Sequence, residues 1–286
     1  MDTHPDHLQA SLQHHLSQLA ALRFTGTERQ IGDALVAIAE LHGALEDHAA
    51  SREHYDEALS IYRAANYKRG QAQVLFGLGV ARANQEDHRG AMERIAQAAA
   101  LFHELKDVDG EALCRAGLGE SLRALGHAQG AEEKFSEALE LFRQTENTER
   151  MVSLLIDLGD LRMAMQDYEV ARSRFLEALP LASRGEDPEA RALCELLLGE
   201  AEGLLGQHGN ARPHLLAAAE AYSELHDHAY ETRARWDLGL ACYRLEDWRA
   251  ARAEFETVLP YYEEQGRQEE AERTRTIIAH LKVRET

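Results

Sequence analysis

Cysteine is scarce: Cys114, Cys194 and Cys242 are the three in 286 residues. They are too few and too scattered for a disulfide framework or a cysteine-rich zinc site. Aromatic residues make up 6% of the chain and prolines number five. Positive charge is in deficit, with 31 Lys and Arg against 50 Asp and Glu and a formal charge of −19. That balance argues against nucleic acid, whose phosphates must be neutralised by Lys and Arg, and favours a basic or neutral partner. No run approaches the roughly 18 apolar residues that span a bilayer. The opening MDTHPDHLQASLQHH has neither the positive nor the apolar segment of a secretory signal. A cytoplasmic chain without membrane contact is expected. The remainder, 44% hydrophobic and 28% charged, suits one large globular domain or two ordinary ones.

What is present is a repeat. In rows of 40 starting near residue 31, one column reads Ala39, Gly79, Gly119, Gly159, Gly199, Gly239, and the column before it Ile38, Leu78, Leu118, Leu158, Leu198, Leu238. Twelve residues on stand Ser51, Ala91, Ala131, Ala171, Ala211 and Ala251. Then come Tyr55, Ile95, Phe135, Phe175, Leu215 and Phe255, followed by Ala58, Ala98, Ala138, Ala178, Ala218 and Val258. No insertion breaks the count.

Helix starts repeat with the same period. Asp47, Asp87, Asp167 and Asp247 precede each small-residue stretch, where a carboxylate can accept from the first free N–H groups of a second helix. Asp107, Asn147, Asp187 and Asp227 form the corresponding column for first helices, with Pro188 following Asp187 at N1. Thr27 and Gln30 fit a capping box. Each unit is expected to be two helices of about 17 residues joined by turns of about three. Residues 5–22 read as an N-terminal capping helix, 28–266 as six repeats and 270–283 as a C-terminal capping helix, within a single domain of residues 1–286.

The columns suggest how the helices pack. The glycine column is expected to face the two alanine columns, letting backbones approach at the short end of the roughly 8–10 Å range. One helix pair cannot bury both its faces, so neighbours must stack. Cys114 and Cys194, two repeats apart, are expected to be reduced and buried, and Cys242 reads as a small apolar residue. The Gly77-Leu78-Gly79 and Gly117-Leu118-Gly119 triplets fall mid-helix and lack a phosphate-loop context. Among 15 histidines, His48, His88 and His208 share a column with Tyr168 and Trp248 and read as wedges at helix turns. His14-His15 and His226-Asp227-His228 lack metal-ligand spacing, so neither a metal nor a cofactor is expected.

The pattern Leu-Gly, an aromatic or His after the turn, then Ala, Phe or Tyr, and Ala resembles the tetratricopeptide repeat (TPR). Its clearest copies are LGESLRALGHAQGAEEKFSEAL (118–139) and LGLACYRLEDWRAARAEFETVL (238–259), within a resemblance covering residues 28–283. The 40-residue spacing departs from the common 34 and is similar to the longer-helix subgroup of scaffolds and bacterial peptide-sensing regulators. The proline usual after the second helix is absent. The resemblance implies an all-α, right-handed solenoid whose first helices line a concave groove for a segment of another protein, without catalysis.

Transferred to this chain, the family's groove positions are Val36, Phe76, Ala116, Ile156, Leu196 and Trp236, with Glu40, Val80, Glu120, Asp160, Glu200 and Leu240 beside them. One turn further lie Gly43, Ala83, Arg123, Met163, Gly203 and Tyr243. Trp236 and Tyr243 stand out as candidate exposed aromatics. The expected guest is a protein or peptide segment with apolar side chains at helical spacing and nearby Lys or Arg. A competing reading places Phe76, Ile156 and Leu196 in the core and the acids on an evenly acidic surface. Acidic residues at 120, 160 and 200 disfavour the family's carboxylate-clamp partners, which need Asn there. A regulator that senses a short peptide, or self-association through an end helix or the groove, are the alternatives to a scaffold.

Overall fold

A computed structural model describes residues 5–185 and 187–285. Among these residues there are fourteen helices and no strand. The chain divides into two compact units, residues 1–146 and 147–286. The first holds α1 (Pro5–Thr25), α2 (Glu28–Ala44), α3 (His48–Ala64), α4 (Lys68–Ala83), α5 (His88–Glu104), α6 (Val108–Ala124) and α7 (Ala128–Gln144). The second holds α8 (Thr148–Ala164), α9 (Tyr168–Arg184), α10 (Pro188–Leu204), α11 (His208–Glu224), α12 (His228–Arg244), α13 (Trp248–Glu264) and α14 (Gln268–Arg284). Each unit is a stack of three helix pairs with one extra helix: α1 packs on α2, and α14 on α13.

One turn design recurs between helices. After α2, the Glu46 N–H donates to the Gly43 carbonyl at 3.0 Å and the Asp47 N–H to the His42 carbonyl at 2.9 Å, closing the last turn in a Schellman motif. Asp47 then opens α3, its carboxylate accepting from the Ala50 N–H at 3.1 Å. A single residue therefore finishes one helix and starts the next. The motif needs a left-handed residue, and Glu86 (φ 62°) and Glu146 (φ 55°) fill that place where Gly126 and Gly206 fill it elsewhere. A side chain there costs energy that glycine avoids. Glu86→Gly is expected to stabilise the first unit by about 0.5–1 kcal/mol, measurable as a higher urea midpoint.

The caps fall where the two columns place them, with one exception. Asp87, Asp107, Asn147, Asp187, Asp227 and Asp247 each accept from a backbone N–H in the first turn of their helix, and Thr27 with Gln30 forms the capping box. Asp167 stands at the start of α9 but makes no such bond. Its carboxylate pairs with Arg162, 3.0 Å away. The first residues of α3, α5, α9, α11 and α13 are the expected wedges His48, His88, Tyr168, His208 and Trp248.

The small-residue column meets the large residue of the second helix first, and at Gly79 the Ala91 backbone as well, 3.2 Å from where a Cβ would stand. A Cβ at Gly119 would stand 2.6 Å from Phe135, one at Gly199 2.6 Å from Leu215 and one at Gly239 3.0 Å from Phe255; Gly159 lies equally hard against Phe175. Glycine on each first helix thus leaves the volume that the large residue of its own second helix occupies. Phe135, Phe175 and Phe255 are fully buried, as are Ala131, Ala138, Ala171 and Ala178 around them. Alanine in those places lets the ring lie down against the facing helix. At the ends, α1 buries Leu12 and Leu19, and α14 buries Ala271, Thr274, Ile278 and Leu281, covering apolar faces that would otherwise meet water.

Candidate functional site

In the first unit, α2, α4 and α6 line a concave cavity of about 920 Å³. The groove positions Val36, Glu40, Gly43, Phe76 and Val80 all border it. Rings from second helices, Tyr55, Tyr62 and Phe102, form its floor between the first helices. Tyr55 reaches it because Gly77 has no side chain: a Cβ there would stand 2.7 Å from the Tyr55 ring and hydroxyl. The Gly77 and Gly117 triplets lie within α4 and α6, as their register requires.

The charges around this cavity are unevenly matched. Arg69 binds Asp107 at 2.5 Å, and Arg29 lies 3.8 Å from Asp33 and 4.8 Å from the centre of the Tyr67 ring. Tyr62 donates to Asp33 at 2.6 Å, and Thr145 to Asp109 at 2.7 Å. Burial opposes ionisation of Asp107, but bonds from the Gly110 N–H and Arg69 outweigh it and hold the carboxyl below its ordinary range. Glu40 has no ion pair or hydrogen bond among the described residues, and partial burial raises its pKa. The Tyr55 phenol is pushed up by burial and then by the nearby Glu40 charge. Glu120 does not border the cavity; its carboxylate takes Arg123 of the same helix at 2.5 Å.

In the second unit the groove positions are less open. Leu196 is fully buried with Ala192, Leu215 and Ala218, so it packs the core and is not available to a guest. Ile156 is half-buried against the cluster of Phe175, Leu197 and Leu198, and Asp160 is half-buried on α8. Trp236 is not a free aromatic: its ring stands edge-on to Phe255 at 5.1 Å and Tyr262 at 6.1 Å, with the Arg273 guanidinium 5.6 Å from its centre. Tyr243 packs edge-on against Trp248 at 5.3 Å. These rings turn inward because α13 and α14 supply aromatic and cationic partners that the first-helix columns do not reveal.

Glu200 is the best-defined carboxylate here. Arg233 grips it with two bonds, 2.5 and 2.7 Å, from α12 to α10. Asp237 lies beside it under Leu240 and Arg244, in a cavity of about 380 Å³. Burial, then the Glu200 charge, raise the Asp237 carboxyl well above the ordinary aspartate range, against the pull of Arg233. Sequence reasoning misses Asp237; its one signal is a charged residue in the column that Gly77 and Gly117 occupy.

The three cysteines are free and buried, and burial pushes the Cys114 and Cys194 thiols up to about 12. A thiol so protonated is a poor nucleophile. Among the described residues no group of three or more His, Cys, Asp or Glu is placed to hold a metal, and no helix is long and apolar enough to cross a membrane.

A tetratricopeptide-repeat family model matches residues 32–64, and another matches residues 188–264, the length of α10 to α13. Both stretches are tetratricopeptide repeats. Solved structures of similar fold include BtubC (BKLC) from P. vanneervenii, 18% identical with a TM-score of 0.69 over 77% of this chain and 92% of that one. The apo form of RapI is 12% identical, with a TM-score of 0.67 over 88% and 98% of the two chains. The Rap conjugation gene regulator of plasmid pLS20, solved in complex with the Phr* peptide, is 15% identical, with a TM-score of 0.54 over 89% and 75%. No curated protein matches the chain significantly. The helices between the two matched stretches keep the same 20-residue spacing.

Proposed function

We propose that this protein is a non-enzymatic scaffold that binds a segment of a partner polypeptide, a peptide or a helix, on its first-helix face. The guest carries apolar and basic side chains. The observation that carries this reading is the first-unit cavity, where residues from three successive first helices meet around aromatic walls and acids outnumber bases. Its floor accepts apolar side chains and its rim favours cations. The net charge of −19 extends the same preference and disfavours nucleic acid. A cytoplasmic location fits this role.

A short-peptide sensor is the second reading, supported by the likeness in fold to a Rap regulator solved with a peptide. Ligand-dependent compaction in small-angle scattering distinguishes it from a passive scaffold. Self-association through an end helix or the groove would instead appear as concentration-dependent sedimentation.

The test uses an array of acetylated random heptapeptides, with retained peptides titrated in solution. Val80 is partly exposed at 39% on the cavity wall, so Val80→Arg places bulk and positive charge there without opening the core. Affinity is expected to fall at least about tenfold, with the melting temperature unchanged. Equal affinity for both proteins contradicts the reading. Charge reversal at Glu120 or Glu200 is a poorer probe, because Arg123 and Arg233 already hold those carboxylates and Glu200→Lys would break a bridge between α10 and α12.

A further inference from the structure

The first-unit cavity contains two polar groups whose capacity the protein leaves unused. Tyr55 is 5% exposed, and its hydroxyl makes no hydrogen bond to any described residue. The hydroxyl opens onto the cavity and is not sealed from solvent, so a guest that covers it must supply a partner. Tyr55 is held there by packing, with Gly77 giving it passage toward the cavity. Glu40, exposed on α2 and near enough for its charge to act on Tyr55, borders the same cavity with no cation, whereas both arginines that border it already have acids of their own. The Phe76 ring borders the same cavity, toward Gly117 of α6.

From this arrangement we infer that Glu40, Tyr55 and Phe76 form a subsite for the side-chain cation of a lysine or arginine in the bound segment. The inference rests on the groove reading above and deepens it. A cation is the one guest that uses all three groups. Its N–H bonds find acceptors in the Glu40 carboxylate and the Tyr55 hydroxyl oxygen, while its charge is attracted to the face of an aromatic ring. An anionic guest would meet Glu40 in a cavity bordered by four acids, two of them paired with its only two arginines. A wholly apolar guest would leave the hydroxyl unsatisfied. The acids of the other repeats do not offer the same opening, since Glu120 and Glu200 are bridged to arginines.

The same acetylated heptapeptide array tests this, because acetylation leaves side chains as the source of positive charge. Peptides retained by the wild type are expected to be enriched in Lys or Arg at one position, and the residue enriched tells ammonium from guanidinium. Glu40→Gln should abolish that enrichment and weaken the best basic peptide by about tenfold or more. Tyr55→Phe should weaken it several-fold while leaving thermal stability unchanged, since the hydroxyl makes no hydrogen bond to any described residue. Retention of peptides without a basic position, or the same enrichment with Glu40→Gln, overturns the subsite while the groove reading stands. Retention of no peptide by any of the proteins overturns both.

Discussion

Phe175→Ala is expected to destabilise the second unit by about 3–5 kcal/mol, the cost of emptying a fully buried aromatic site. The ring lies against Gly159, where a Cβ would overlap it, so Gly159→Leu alone should also be destabilising, by about 1–3 kcal/mol through overpacking. The two changes are expected to compensate each other. In the absence of the ring, the introduced leucine side chain enters the volume it vacated, and the double variant should be more stable than the sum of the single losses by about 0.5–3 kcal/mol. Urea unfolding of the four proteins measures the cycle. Additive losses would show that Gly159 and Phe175 do not share a site, and that glycine is not present in its column to make room for the rings. Because stacked repeats interact mainly with their neighbours, hydrogen exchange should locate the damage in α8 and α9 first.

Stability of the second unit should fall as pH rises from the ordinary aspartate range toward neutrality, and Asp237→Asn should flatten that dependence. The folded state binds a proton at Asp237 that the unfolded chain releases at lower pH, because burial and the Glu200 charge disfavour a second carboxylate there. A raised folded-state pKa means that the contribution is complete below the unfolded value and is lost as pH climbs through the folded one. Asparagine keeps an N–H donor for Glu200 and cannot ionise. His214, raised by its 2.6 Å bond with Glu195, changes stability in the same direction, whereas His54, lowered by burial and by His42, acts oppositely. The difference between wild type and Asp237→Asn isolates Asp237 from both. Parallel melting curves across pH would contradict the shared proton between α10 and α12.

The architecture is legible in the sequence because backbone register repeats without interruption. A 40-residue period fixes which residues begin helices and which columns meet, so the helix starts, the turn wedges and the end helices follow from counting. The small-residue column is recognisable as a packing position, but its nearest partner is not: glycine answers the ring of Phe135 or Phe175 before any alanine. Side-chain reach accounts for most of what the columns do not show. Arg233 finds Glu200 from another repeat, which periodicity cannot reveal. Likewise the first-helix face can be named from spacing, but not how much of it is covered. Phe76 borders a cavity while Leu196, in the same column, is sealed by its neighbours.

Photocrosslinking from the first unit tests the central claim most directly. A benzophenone side chain at Val80 faces the cavity, and one at exposed Ala96 sits on α5 away from it. With a peptide selected on the heptapeptide array, a crosslink from position 80 and none from position 96 is expected. A crosslink from position 96 with none from position 80 would place binding on another face and contradict the account.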